Sequence, residues 1–110
     1  MRVPVTQTLF QIVLTTCPNV AAAEQIGRAL VTERLAACVN ILPAMHSIYR
    51  WKGKIEEASE LLLVIKIAQA QYPAVQDRIR ALHPYELPEI IAVPIADGHP
   101  EYLAWLHHPE

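Results

Sequence analysis

The sequence predicts a single α+β domain in which helices cover an antiparallel sheet of four strands. Two observations predict this class. Segments rich in β-branched and large apolar residues alternate with two segments whose apolar residues recur at helical spacing. The chain has 110 residues, and domains usually have about 100–200 residues, so one domain over residues 1–110 is expected.

The first two elements are a strand and a helix. Leu9–Thr15 is rich in apolar and β-branched residues and ends at a cluster of breaker residues, Thr16–Asn19. Asn19 is a favoured N-cap residue, and apolar side chains recur at helical spacing after it. The pattern predicts a strand over Leu9–Thr15 and a helix from about Val20 to Leu35.

The next two elements form a long hairpin. Two β-type segments, Cys38–Trp51 and Lys54–Ile67, flank a short turn that contains Gly53. Each segment has about 14 residues, whereas most strands have about 5–6. The hairpin is therefore predicted to extend past the rest of the sheet and to leave unpaired backbone that another chain can satisfy.

The remaining elements complete a split βαβ order. Tyr72 and Pro73 open a second helix that ends before Pro84, a strand covers Glu89–Ile95, and a short helix lies around Tyr102–Leu106. The predicted order of strand, helix, strand, strand, helix, strand is the ferredoxin-like arrangement, with a short C-terminal helix added.

The positions of proline agree with this topology. The ferredoxin-like sheet has its second and fourth strands at the edges, and proline cannot donate a hydrogen bond to a central ladder. Pro43 and Pro94 fall in the second and fourth strands, whereas Leu9–Thr15 and Glu60–Ile67 contain no proline. The first and third strands are therefore predicted to be central.

The third strand is apolar on both of its faces. Leu61–Ile67 carries apolar residues at both sets of alternate positions, interrupted only by Lys66, and such a strand is typical of burial on both faces. Two helices cover only one face of a four-stranded sheet, so a closed homo-oligomer is predicted to cover the other. The alternative is a monomer with one partly apolar face in water.

Composition excludes several classes of protein. Hydrophobic residues make up 53% and charged residues 18% of the chain, which excludes intrinsic disorder. The net charge is −2 without a basic block, and the third strand lacks the aromatic residues on which RNA-recognition modules stack bases, so no nucleic-acid partner is expected. No apolar run reaches the roughly 18 residues of a membrane span, so no membrane association is expected.

The N-terminus and the cysteines bear on location and redox state. Met1–Thr8 lead directly into the first strand, without the apolar stretch and cleavage site of a signal peptide. The two cysteines, Cys17 and Cys38, are too few for a disulfide framework or a four-cysteine zinc site. A cytoplasmic protein with free thiols is expected.

Three segments of the sequence resemble the CutA family of divalent-cation tolerance proteins. They are Glu33–Asn40, Tyr49–Ile55 and His83–Ile91, and Tyr102–Trp105 extends the similarity to nearly the whole chain. The resemblance implies a ferredoxin-like fold, a tight homotrimer built through the long hairpins, and a cytoplasmic protein similar in architecture to the PII signalling proteins. It also implies a role in the response to metal ions, usually copper.

Two residues are candidate metal ligands. His83 lies at the end of the second helix and offers a neutral imidazole for copper or zinc; the alternative is a structural histidine that bonds the last helix carbonyls. Cys17 lies between the first strand and a helix N-terminus, where the pKa of a thiol falls and the thiolate becomes a soft ligand for copper. The alternative for Cys17 is a small buried apolar side chain.

A second group of residues forms a candidate ligand cleft: Trp51, Lys66, Tyr85 and Glu89. Lys66 interrupts the most apolar strand and needs a carboxylate or a bound anion, and Glu89 is the predicted partner. The group is either an ion pair at a trimer interface or a polar intersubunit cleft for a small anionic ligand. The nearby run Glu56–Glu60 is predicted to be solvated.

The sequence contains no recognisable catalytic motif. It has no Ser–His–Asp signature, no glycine-rich phosphate loop and no His-x-x-x-His, so a non-enzymatic protein without an obligatory cofactor is expected. Two functions remain open. One is a metal-binding or metal-responsive trimer that takes copper or zinc, and the other is a PII-like trimer that binds a small molecule in its clefts.

Overall fold

The computed structural model describes residues 9–109, which contain four strands and three α-helices. In chain order these are β1 Phe10–Cys17, α1 Val20–Thr32, β2 Cys38–Trp51, β3 Lys54–Ala68, α2 Tyr72–Leu82, β4 Ile90–Pro94 and α3 Pro100–His107, with a 3₁₀ turn at Gln69–Gln71. The predicted order of elements is confirmed. The expectation of no signal peptide rests on Met1–Thr8, which lie outside the described residues. No helix within residues 9–109 has the length and apolar character needed to cross a membrane.

The four strands form one antiparallel sheet in the order β2-β3-β1-β4. Strands β1 and β3 are central and β2 and β4 are the edges, as the prolines predict. Pro94 ends β4, and Pro43 lies at a register shift between Leu42 and Met45, where a missing N–H interrupts no central ladder. The α+β class is confirmed, and the strand order is the one expected of the ferredoxin-like arrangement.

The helices cover one face of the sheet and bury its core. Alternate residues of the central strands pack there against α1 and α2. Fully buried members of this core include Val13, Leu63, Ile65, Ile26, Leu30, Val75 and Ile79. Burying each such side chain stabilises the fold by about 1.5–3 kcal/mol. A Cβ atom on Gly27 would lie 3.3 Å from Val39 Cγ1, so the missing side chain lets α1 approach β2 closely.

Helix α1 ends at Thr32, earlier than the predicted end at Leu35. The reason is Arg34, which has a left-handed backbone with φ of 60°. The chain turns at this residue, and the N–H of Leu35 donates to the carbonyl of Leu30 at 2.9 Å, as in a Schellman helix end. Glycine usually occupies such a position, and its absence from the sequence conceals where the helix stops.

The hairpin turns through two residues, Lys52 and Gly53, with φ angles of 50° and 80°. Positive φ at both positions is the type I′ geometry, which matches the twist of the flanking strands. Strand β2 pairs with β3 up to this turn, whereas β1 pairs with β3 only as far as Cys17, opposite Leu61. The hairpin therefore extends past the rest of the sheet, as predicted.

The second face of the sheet, here called the outer face, is largely apolar. It is formed by the strand positions that alternate with the core: Ile12, Leu14, Leu62, Val64, Ile91 and Val93. Of these, Ile91 is 49% and Val93 is 44% exposed. The doubly apolar sheet predicted from β3 is thus present, and an isolated chain leaves part of this face in contact with water.

Candidate functional site

The end of β1 and the start of the segment after α2 bring the two candidate metal ligands together. Cys17 is the last residue of β1, and His83 directly follows α2. The Sγ atom of Cys17 lies 3.9 Å from the Nε2 atom of His83. Both residues are buried. The fold therefore forms a buried thiol–imidazole pair from two distant positions in the chain.

Both ring nitrogens of His83 are hydrogen-bonded. The Nε2 atom lies 2.7 Å from the carbonyl oxygen of Thr16, and because a carbonyl only accepts, Nε2 carries the proton. The Nδ1 atom accepts from the backbone N–H of Tyr85 at 3.1 Å and therefore carries none. These partners assign His83 as a neutral imidazole that ties the end of β1 to the segment before β4.

A tyrosine and a buried carboxylate adjoin this pair. The hydroxyl of Tyr85 donates to Glu60 Oε2 at 2.6 Å, and the rings of Tyr85 and His83 have centroids 4.9 Å apart. Burial, and next the hydrogen bond and charge of Glu60, raise the pKa of Tyr85 well above its usual range. Glu60 is 7% exposed. The prediction of a solvated run Glu56–Glu60 is therefore wrong at Glu60, which is paired with Tyr85.

The thiol of Cys17 is protonated at neutral pH. Burial, with a smaller contribution from the negative charge of Glu60, raises its pKa to about 11. The expectation of a lowered pKa is wrong, because β1 continues through Cys17 and α1 begins only at Val20, after its N-cap Asn19. In this arrangement Cys17 is not an activated nucleophile, since the thiolate is the reactive form.

A cleft of about 810 Å³ lies between the hairpin and the segment that leads to β4. Its lining includes three of the four predicted cleft residues, Trp51, Tyr85 and Glu89, together with Thr16 and Glu60. Trp51 remains 38% exposed in the single chain. The cleft therefore lies next to the Cys17–His83 pair, at the same end of the sheet, although neither residue is part of its lining.

The charge of this cleft is mainly negative. Its described lining contains the carboxylates of Glu60, Glu86 and Glu89 and the ammonium of Lys52. The Lys52 Nζ atom lies 5.7 Å from the centre of the Trp51 ring. Three carboxylates and one ammonium attract cations and disfavour anions.

Lys66 lies away from the cleft, on the outer face of the sheet. Its ammonium donates to the side-chain oxygen of Asn40 and lies 3.9 Å from the Sγ atom of its cross-strand neighbour Cys38. Lys66 and Glu89 do not pair within one chain, so their predicted pairing at a trimer interface stays a prediction. Strand register separates them, because Glu89 precedes β4 at the cleft end of β1, and Lys66 pairs near the other end.

Two residues of the cluster, Glu60 and Thr16, are absent from the sequence-based site prediction. Thr16 contributes only a backbone carbonyl, which carries no residue-type signal. The sequence does indicate a special position for Glu60, because this residue directly precedes the apolar run that begins at Leu61. A carboxylate at the start of a buried strand needs a hydrogen-bond donor, and here the donor is Tyr85.

The thiol–imidazole pair has the separation of two ligands that share a metal ion. Bonds of about 2.3 Å to sulfur and about 2.0 Å to nitrogen place the ligand atoms roughly 3.5 Å apart at a tetrahedral angle and about 4.3 Å apart in a linear arrangement. The observed distance of 3.9 Å lies between these limits. Within residues 9–109 no group of three or more His, Cys, Asp or Glu is placed to hold a metal. Cys17 and His83 would therefore act as a two-ligand site.

Ligation through His83 requires an exchange of its hydrogen bonds. The Nε2 atom can accept a metal only after its proton moves to Nδ1, where it then faces the N–H of Tyr85. The bonds to Thr16 and Tyr85 are both lost in this exchange. The two residues thus fit a soft metal ion at the cost of releasing the segment that follows His83.

The fold and the site define a small α+β protein with one four-stranded sheet and a buried thiol–imidazole pair beside an acidic cleft. The chain belongs to the CutA1 divalent ion tolerance protein family, whose model matches residues 11–109. The family resemblance seen in the three sequence segments is confirmed.

Known relatives agree with this assignment. The divalent-cation tolerance protein CutA of Thermus thermophilus is 53% identical over 96 residues, which cover 87% of this chain and 93% of that protein. A solved structure of the Thermus thermophilus protein has a TM-score of 0.86 at 52% identity and covers 88% of this chain and 94% of that one. Human protein CutA is 53% identical over 91 residues, 83% of this chain and 51% of that protein. This chain therefore spans about half the length of its human relative.

The compartments given in the names of relatives differ. A solved structure from Archaeoglobus fulgidus is described as a periplasmic divalent cation tolerance protein, with a TM-score of 0.86 at 38% identity over 89% of this chain and 95% of that chain. The Arabidopsis thaliana relative is named as chloroplastic. The predicted cytoplasmic location of this chain therefore stays a prediction.

Proposed function

We propose that this protein acts in divalent-cation tolerance as a non-enzymatic homotrimer, in which Cys17 and His83 of each subunit hold a copper ion. Family membership and the names of the relatives support the tolerance function. The observation that carries the metal site is the 3.9 Å separation of the two ligand atoms beside an acidic cleft. Thiolate is a soft ligand that favours copper, and imidazole suits copper and zinc.

The exposed apolar surface supports the homotrimer. Ile91 and Val93 on the outer face are 49% and 44% exposed, and Ile48 and Ile55 on the hairpin are 66% and 62% exposed. Apolar side chains exposed to this degree are typical of contacts between chains. In the proposed trimer, the outer face and the overhanging hairpin of each subunit pack on neighbouring subunits, which also satisfies the unpaired backbone of the edge strands.

A small anionic ligand is not proposed for the cleft. The described lining offers Lys52 against three carboxylates, so an anion meets net repulsion. Lys66, the cation that the sequence predicts for anion binding, bonds Asn40 on the outer face instead. The acidic cleft therefore favours the metal hypothesis over the PII-like ligand hypothesis.

Copper stoichiometry tests the proposed metal site. Equilibrium dialysis of the reduced protein against buffered Cu(I) should give one copper per chain for the wild type. Cys17→Ser and His83→Gln should each weaken binding at least tenfold, because each removes one of only two ligands. Cys38→Ser is the matched control, since its thiol lies on the outer face beside Lys66, and it should bind copper as the wild type does.

Circular dichroism spectra of all variants are compared first, so that a variant that has lost its fold is not mistaken for one that has lost only its copper site. Copper binding that survives unchanged in Cys17→Ser would contradict the site. Equal loss in Cys17→Ser and Cys38→Ser would also contradict it, because any accessible thiol would then account for the copper.

A further inference from the structure

The sulfur of Cys17 has no direct opening to the cleft. Cys17 is fully buried, and the cleft is lined at this end by Thr16, Glu60 and Tyr85 rather than by Cys17. The charge of Glu60 contributes to the raised pKa of Cys17, and Cys17 contributes to that of Tyr85, so the three groups are close neighbours. The Tyr85 and Glu60 side chains, which line the cleft, therefore lie close to the buried sulfur.

The segment that carries Tyr85 is held by a short chain of hydrogen bonds. It lies between α2 and β4 and has no helix or strand of its own. The Tyr85 hydroxyl bonds Glu60 at 2.6 Å, the Tyr85 N–H bonds His83 Nδ1, and His83 Nε2 bonds Thr16. Further along the same segment, Leu87 is 69% exposed. The contact between Tyr85 and Glu60 is thus one of two side-chain anchors of this segment, and the other is the bond from His83 to the end of β1.

We propose that the Tyr85–Glu60 hydrogen bond is a latch that closes the segment over Cys17 and sets how often its sulfur can be reached from the cleft. In the closed state the thiol is shielded and His83 keeps both of its hydrogen bonds. Release of the Tyr85 hydroxyl from Glu60 lets the segment move and uncovers the thiol. Tyr85 and Glu60 are positioning residues in this mechanism, and their significance for metal capture rests on the proposed function.

Thiol alkylation tests the latch without any metal. Iodoacetamide labelling of the reduced protein is followed for Cys17 and Cys38 separately, by mass spectrometry of their peptides. Tyr85→Phe keeps the ring and removes only the hydroxyl, so Cys17 should react about tenfold faster or more, as expected when a hydrogen bond to a charged acceptor is lost. The rate at Cys38 should not change.

A second tyrosine provides the matched control. The hydroxyl of Tyr72 donates to Gln76 Oε1 at 2.8 Å within α2, so Tyr72→Phe also removes a tyrosine hydrogen bond, but one without contact to Glu60. This variant should leave the Cys17 rate unchanged. Glu60→Gln keeps an acceptor oxygen and should stay within about threefold of the wild type, whereas Glu60→Ala should match Tyr85→Phe.

Two results would overturn the latch. One is an unchanged Cys17 rate in Tyr85→Phe, and the other is equal acceleration in Tyr85→Phe and Tyr72→Phe, which would assign the effect to overall stability. If Glu60→Ala does not fold, the two tyrosine variants alone decide. Because labelling uses no metal, the latch and the copper site can each fail while the other stands.

Discussion

His83 is fixed by its two hydrogen bonds in one neutral tautomer, and this limits what the residue can do. The alternative of a structural histidine is partly right, but the carbonyl that His83 bonds belongs to Thr16 at the end of β1 and not to the preceding helix. A ring held in this way is already in place for ligation and is closed to it until the proton changes nitrogen. The structural role of His83 and its proposed metal-binding role therefore require two different states of one residue.

Also at the scale of single residues, the raised pKa of Cys17 predicts that the stability of the folded protein depends on pH. The ordinary pKa of the thiol is 9.0, and burial raises it to about 11 in the folded protein. The protonated thiol therefore stabilises the native state below pH 9, and this contribution is lost as the pH rises toward 11. A difference of two pKa units corresponds to about 3 kcal/mol.

Urea denaturation of the wild type and Cys17→Ala across this pH range measures the contribution. The difference in free energy of unfolding between the two proteins should shrink by about 2 kcal/mol between pH 9 and 11, because the full change of about 3 kcal/mol is reached only above pH 11. A difference that stays constant over this range would mean that the thiol titrates normally in the folded state.

At the scale of elements, the bulge in β2 contains a strained residue. Ala44 has φ of 62°, a left-handed conformation that costs a residue with a Cβ about 1–2 kcal/mol. Glycine adopts it freely but loses more entropy on folding, so Ala44→Gly should raise the free energy of unfolding by about 0.5–1 kcal/mol.

The control for this prediction is Ala58→Gly in the regular part of β3, opposite Ser47. Without strain to relieve, this change should lower the free energy of unfolding by about 0.5–1 kcal/mol. Thermal denaturation of both variants gives the comparison. If Ala44→Gly destabilises as much as Ala58→Gly, the bulge stores no strain.

The elements themselves could be predicted because their signals are local. Apolar periodicity and the N-cap Asn19 define the helices, and the hairpin segment Cys38–Trp51 has the same bounds in the sequence prediction and in the structure. The end of α1 could not be predicted, because Arg34 adopts a conformation that residue type does not reveal. Local pattern thus determines which elements form, while individual backbone angles decide where some of them end.

The site was less predictable, because it depends on distant contacts and on register. Residue type selected Cys17 and His83 as candidate ligands, and the structure places their side chains 3.9 Å apart. The pairing of Lys66 with Glu89 required knowledge of strand register, and the sequence pattern does not supply it. The burial of Glu60 depends on a hydrogen bond from Tyr85, which folds back from another segment.

At the scale of the whole molecule, two valines of equal exposure can test which surface forms the proposed subunit interface. Val93 on the outer face and Val31 on α1 are each 44% exposed. Val93→Glu should dissociate the proposed trimer, because it places a charge in an apolar contact between subunits. Val31→Glu places its charge on α1, on the helix-covered side of the sheet, and should therefore leave the proposed trimer intact.

Light scattering coupled to size exclusion gives the mass of each variant. Dissociation by both substitutions, or by neither, would argue against the outer face as the contact surface. The wild-type mass under the same conditions serves as the reference.

Native mass spectrometry of the reduced protein with Cu(I) tests the central claim most directly, because it counts subunits and copper ions in the same particle. The proposal predicts a trimer that carries three copper ions for the wild type and a trimer without copper for Cys17→Ser. A monomer, or a trimer whose copper count does not depend on Cys17, would contradict it.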